Sequence, residues 1–279
     1  MRRADMKWYR FMLRNKIIVI LSSMYLGIFI ACGIDIYSDK DDVNLGMGID
    51  KEIRGNPKEY PILQNAPQVK QYVVNLVQKV LQSPDIEKRS VYPYTVEIIK
   101  DDKTVNAFCT PGGFIYVYTG LLKFLDNEAS LAGVVGHEIA HAERRHATKR
   151  ITAQYGIQSA IAIALGKNPS MLEQISANLF TNLGFLKNSR DDEEEADNYS
   201  MKYLRATEYY PGAIKFFFDK ILDTKQGGGG MFERLLSTHP LPKDRQENVA
   251  NTMIQWKIAQ PNETNLFGSR YLQFRKSIP

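Results

Sequence analysis

His137-Glu138-Ile139-Ala140-His141 is the stretch that decides how this 279-residue chain is read. Two histidines four residues apart share one face of an α-helix, and a glutamate stands next to them. Both imidazoles can therefore grip one metal ion from the same side, while the glutamate takes the proton from an attacking water. Three of the four histidines in the chain fall here, at 137, 141 and 146, and the fourth is His239. Around the motif, Leu131, Val134, Val135 and Ile139 form an apolar helical stripe, and Asp126 occupies an N-cap position. No Pro or Gly follows Gly136 until Gly156. The spacing predicts a helix that runs unbroken through all three histidines.

A catalytic zinc takes three protein ligands and keeps one position open. On an unbroken helix His146, five residues past His141, points to nearly the opposite side at about 100° per residue. It is read as structural, hydrogen-bonded to a neighbouring segment. The better third ligand lies in the acidic run Ser189–Asp197. Glu193 and Asp197 are four apart and share a helical face with Ala196, whose small side chain permits close helix approach. Glu193 then supplies a carboxylate ligand, and Asp197 accepts the second ring N–H of a metal-binding histidine. Asp191, Asp192 and Glu194 read as a solvated face.

Taken together these motifs resemble the metallopeptidases of the prenyl-protease and HtpX superfamily, metallopeptidase family forty-eight, in its exported bacterial branch. The resemblance rests on H-E-x-x-H at His137–His141, on Glu193-x-x-Ala196-Asp197, and on Ser237-Thr238-His239-Pro240 followed by Arg245. It also rests on Asn106–Gly113 and Thr119–Leu122, and it runs from about Asp42 to near the C-terminus. It implies an α+β, mostly helical, gluzincin-like peptidase domain with a small sheet or hairpin beside the H-E-x-x-H helix. It implies Zn²⁺ held by His137, His141 and Glu193, with Glu138 as general base. His239 would stand by the metal, either stabilising the oxyanion or filling the fourth position in a latent state. Arg245 would support the site and, less directly, the oxyanion.

The net charge of +5 does not argue for a nucleic-acid partner. Residues 1–32 carry Arg2, Arg3, Lys7, Arg10, Arg14 and Lys16 against Asp5, so the basic excess belongs to the N-terminus. That basic stretch precedes an apolar run from Ile17 to Cys32, the pattern of an export signal. Phe29-Ile30-Ala31-Cys32 resembles a lipoprotein signal, with Cys32 as the acylated residue, although Phe replaces the usual Leu. The expected organisation is a signal peptide over 1–31, a lipid-anchored polar tether over 32–52 and a peptidase domain over 53–279. The expected location is the bacterial envelope, on the periplasmic side of a membrane, with the outer membrane favoured. Cys109, left unpaired, reads as a small buried hydrophobe.

Further along, Pro67–Gln82 has helical periodicity, Val91–Ile99 reads as a strand, and Pro111-Gly112-Gly113 turns the chain into a second strand over Phe114–Tyr118. That strand pairs with the segment ending at Cys109. Helices are expected over 155–165, 170–186 and 213–222, and Gly227–Gly230 reads as a pivot ahead of His239. A strand edge beside the motif suits extended polypeptide substrates bound by strand addition. Two rival functions remain. One is a lipid-anchored, chaperone-like binding protein with a structural zinc. The other is a hydrolase of a non-peptide amide.

Overall fold

The structure, a computed structural model, describes residues 37–156, 174, 187–224, 229–240 and 243–279. The proposed signal, Cys32, all but the first two residues of the helix expected over 155–165, all but residue 174 of the helix expected over 170–186, and Gly227 and Gly228 lie outside these residues. The described fold is α+β and mostly helical, as the sequence implied, with one three-stranded sheet. Among the described residues no helix is long and apolar enough to cross a membrane.

The first helix, α1 (Asp39–Gly55), corrects the polar tether expected to run to residue 52. Ser38 caps it through a capping box with Asp41, and Asp39, Asp41 and Asp42 occupy its first turn, where the helix dipole favours them. Leu45, Ile49 and Ile53 recur every four residues and are buried. What looked like linker composition is a helix start followed by an apolar stripe. The helix lies close over the turn after residue 110. A Cβ on Gly46 would stand 2.0 Å from the Pro111 carbonyl oxygen, and Gly112 takes φ 76 beneath Val43.

Helix α2 (Pro67–Val80) buries Val69, Val73, Leu76, Val77 and Val80, the expected periodic set. Strand β1 (Thr95–Ile99) is shorter than predicted, because Tyr94 takes a positive φ and residues 91–94 form a turn. Strands β2 (Ala107–Thr110) and β3 (Phe114–Tyr118) form the expected antiparallel hairpin, and β3 also pairs in parallel with β1. The order β1-β3-β2 leaves β2 at an edge.

After the short α3 (Thr119–Phe124) comes the central helix α4 (Glu128–Glu143), every residue of which is buried. Its N-cap is Asn127, whose side chain accepts from the Ser130 N–H at 2.8 Å, and not Asp126. Asp126 instead pairs with Lys220 at 2.6 Å. The helix does not continue to Gly156. Arg145 takes a left-handed conformation (φ 59, ψ 35), and α5 (His146–Tyr155) starts in a new direction. An ion pair from Arg145 to the buried Asp42 of α1 at 2.7 Å holds this break, and Asp42 also accepts from Thr148 at 2.7 Å.

Helix α6 (Arg190–Leu204) packs along α4. Gly136 makes the approach possible, since a Cβ there would lie 2.9 Å from Ser200 Oγ, which itself donates to the Gly133 carbonyl. Ala196 is fully buried. Helices α7 (Ile214–Thr224), α8 (Glu233–Thr238), α9 (Lys243–Gln255), α10 (Glu263–Leu266) and α11 (Gly268–Arg275) complete the described chain.

Candidate metal centre

Four side chains from three elements converge on one point. His137 and His141 come from α4, Glu193 from the first turn of α6, and His239 from the C-terminal end of α8. One donor atom from each lies within 4.8 Å of every other, and all four residues are buried. The two Nε2 atoms of His137 and His141 are 2.9 Å apart. Glu193 Oε2 lies 3.5 Å from His137 Nε2, and its Oε1 lies 3.3 Å from His141 Nε2. His239 Nδ1 is 2.9 Å from Glu193 Oε1.

The surrounding residues set the charge of this cluster. Asp197 Oδ1 stands 2.8 Å from His137 Nδ1, a close but bent contact. Burial opposes a charge on His137, yet the carboxylates of Asp197 and Glu193 raise it to about 9. Burial and the neighbouring His137 push His141 well below the usual histidine range. Glu193 is buried, which opposes ionisation, but His239, Arg245 and the two α4 histidines hold it well below the carboxylate range.

This donor set fits a divalent cation. The facing Nε2 atoms and the Glu193 carboxylate point to a common centre that demands positive charge. The Glu193 and Asp197 carboxylates beside His137 favour a positive charge there, which a bound cation would supply. Imidazole, imidazole and carboxylate are the ligand types zinc accepts in hydrolytic sites.

Glu138 follows His137 on the helix and faces the same cleft, with Oε1 3.6 Å from His239 Nε2. Burial raises its carboxyl, while His239 and His137 pull the other way. Phe108, Cys109 and Thr110 of the edge strand line this cleft with Glu138, His141 and His239.

Arg245 is buried beside the centre and lines a pocket with His137, Glu138 and His239. Its guanidinium grips Asp197 at 2.8 and 2.7 Å and Glu193 at 2.5 Å, and also donates to the Pro240 carbonyl. It thus ties the Glu193 and Asp197 carboxylates together. Of the acidic run, Asp191 and Glu194 are exposed as expected. Asp192 is not merely solvated, because it completes the capping box with Ser189 and pairs with Arg150 at 3.0 Å.

Two features escaped the sequence reading. Asn188 places Nδ2 2.6 Å from Glu193 Oε1 and 3.2 Å from both His141 Nε2 and His239 Nδ1. Nothing in its immediate sequence marks it except that it precedes the α6 cap. His146, read as pointing away, lies against His141, because the break at Arg145 redirects the chain.

The fold and the converging donors define the class as a metallopeptidase. The chain belongs to peptidase family M48, whose model matches residues 67–253, about two thirds of the sequence. It is 27% identical over 224 residues to the beta-barrel assembly-enhancing protease of Escherichia coli K12, covering 76% of this chain but 44% of that protein. It is 34% identical over 159 residues to the mitochondrial metalloendopeptidase OMA1 of Arabidopsis thaliana, covering 56% of this chain and 31% of that one. Metalloprotease LoiP of Escherichia coli K12 shares 31% over 166 residues, covering 57% of this chain and 62% of LoiP. The chain thus spans less than half the length of the first two relatives.

Proposed function

We propose that the chain is a zinc-dependent endopeptidase that hydrolyses extended or misfolded envelope polypeptides. The observation that carries this reading is the convergence of His137, His141 and Glu193 with Glu138 beside them at one cleft. Zinc held by those three residues would supply a Lewis acid. Glu138 takes a proton from the attacking water and delivers it to the leaving amine, and its raised pKa suits a group that must both accept and release one. Asp197 and Arg245 hold the ligands in place.

Strand β2 supports an extended substrate, since it pairs only with β3 among the described residues and borders the cleft. Substrate backbone would add to it as a further strand, which gives affinity with little sequence selectivity. His239 acts in this reading as a fourth donor that closes the centre in a latent state, because its Nδ1 meets Glu193 within the cluster. The basic and apolar N-terminus ending at Cys32 supports export and lipid anchoring on the periplasmic side of a bacterial membrane. The chain's likeness to a beta-barrel assembly-enhancing protease agrees with an envelope role.

The test is degradation of an unfolded, fluorescently labelled protein by the zinc-loaded chain, before and after a chelator and after zinc is restored. Cleavage that stops with chelator and returns with zinc supports the proposal. Binding of the unfolded protein without any cleavage would favour the chaperone-like alternative.

A further inference from the structure

The break in the helix after the metal motif has a chemical result. On an unbroken helix residue 146 would sit about 140° around the axis from residue 141. Instead Arg145 adopts the left-handed region, sparsely used by residues other than glycine. Asp42 and the Ser38 carbonyl of the α1 segment hold its side chain. The turn this makes carries His146, 1% exposed, back against the motif.

His146 then meets His141 through an uncommon pairing of two imidazoles, Nδ1 to Nδ1 at 2.7 Å. Only one of those nitrogens can carry the proton. The far side of His146 decides which, because its Nε2 lies 2.8 Å from Glu195 Oε2, an acceptor with no proton to give. His146 therefore donates from Nε2 to Glu195 and keeps a lone pair at Nδ1. His141 must donate from its own Nδ1, which leaves its Nε2 lone pair facing Glu193 and His137. Glu195 is fixed in turn by Arg144, whose Nε donates to Oε1 at 2.8 Å. Helix α6 thus acts on both nitrogens of one ring, directly through Glu193 and at one remove through Glu195.

We propose that His146 and Glu195 are positioning residues, a two-step relay that fixes the tautomer and ring orientation of His141 so that its Nε2 lone pair is presented to the metal. The inference rests on the zinc-site reading above and adds two residues to it. It predicts that Glu195, which touches neither His141 nor the donor centre, tunes metal affinity. It also predicts which replacements are tolerated. Asparagine places a carbonyl oxygen near the position of the His146 Nδ1 and can accept from His141. Leucine leaves the His141 N–H buried with no acceptor.

The test measures zinc dissociation constants by competition with a chromophoric chelator, using the whole chain and its His146→Leu, His146→Asn, Glu195→Ala and His137→Ala variants. Unfolding midpoints in excess chelator are recorded alongside. His146→Leu and Glu195→Ala are expected to bind zinc about 10–100-fold more weakly, and His146→Asn to stay within about 3-fold of the parent. Equal losses in His146→Asn and His146→Leu would overturn the relay, since packing alone would then explain the site. So would parental affinity in His146→Leu or Glu195→Ala. His137→Ala tests the underlying reading separately. If it keeps zinc at full stoichiometry, the metal is bound elsewhere, whatever the other variants do.

Discussion

Replacing Arg245 by methionine tests how the centre tolerates its own negative charge. Arg245 is 4% exposed and stands between two carboxylates that are themselves buried. The substitution keeps most of the aliphatic bulk but removes two charge-assisted bonds to Asp197 and one to Glu193. Breaking a buried ion pair from one side costs about 3–5 kcal/mol. His137 remains between the same carboxylates as a second cation, raised to about 9, so the expected loss is near the lower end, about 3 kcal/mol. For a domain of this size that lowers the unfolding midpoint by roughly 6–12 °C. Circular dichroism melts in excess chelator read it directly. Zinc should shrink the difference, because a cation bound to Glu193 restores part of the lost charge. Arg245→Lys should recover only a fraction, since a single ammonium cannot reproduce the fork that spans both acids. A metal-free midpoint for Arg245→Met within about 2 °C of the parent would refute the reasoning, as it would mean the two acids need no compensation.

Other outcomes follow from the same geometry. Glu138→Gln should keep zinc and the fold while losing about 10²-fold or more in peptide hydrolysis, measured as kcat/KM on an unfolded substrate. His239→Ala should raise activity if the fourth donor closes the centre, and a fall in activity would assign His239 to the oxyanion instead. The metal-free protein should lose stability in alkali. His137 is raised from 6.5 to about 9 on folding, so its contribution is complete below about pH 6.5 and is lost as pH rises through 9, on the order of 3 kcal/mol. Urea titrations across that window, with chelator present, would show a flat profile if His137 were not raised. Gly136→Ala should cost about 1 kcal/mol or more despite alanine's better helix propensity, because the new methyl meets Ser200. Adding Ser200→Ala should recover most of it, and equal penalties in the single and double variants would place the strain elsewhere.

Much of this molecule was legible in sequence because its signals are local. The α4 stripe, the α2 periodicity and the hairpin at Pro111–Gly113 each lie within one short window, and each formed as read. Glu193 was identifiable at a distance because its spacing to Asp197 repeats the four-residue logic of the histidines. The misreadings have physical causes. Arg145 ends the helix with no glycine or proline, held instead by Asp42 more than a hundred residues earlier. No local rule announces such a stop, and His146 was misplaced with it. Ser38–Asp42 has the composition of a linker and also of a helix N-terminus, and only the buried Leu45, Ile49 and Ile53 separate the two readings. Asn188 reaches the centre through tertiary placement alone.

Helix α1 sets a practical limit on how the chain can be shortened. A version trimmed to begin at residue 53 would discard Asp42, and with it the anchor for the Arg145 turn and the seat of Thr148. It would retain every metal-facing side chain and still lose the turn that seats His146 against His141, so its inactivity would say nothing about the chemistry.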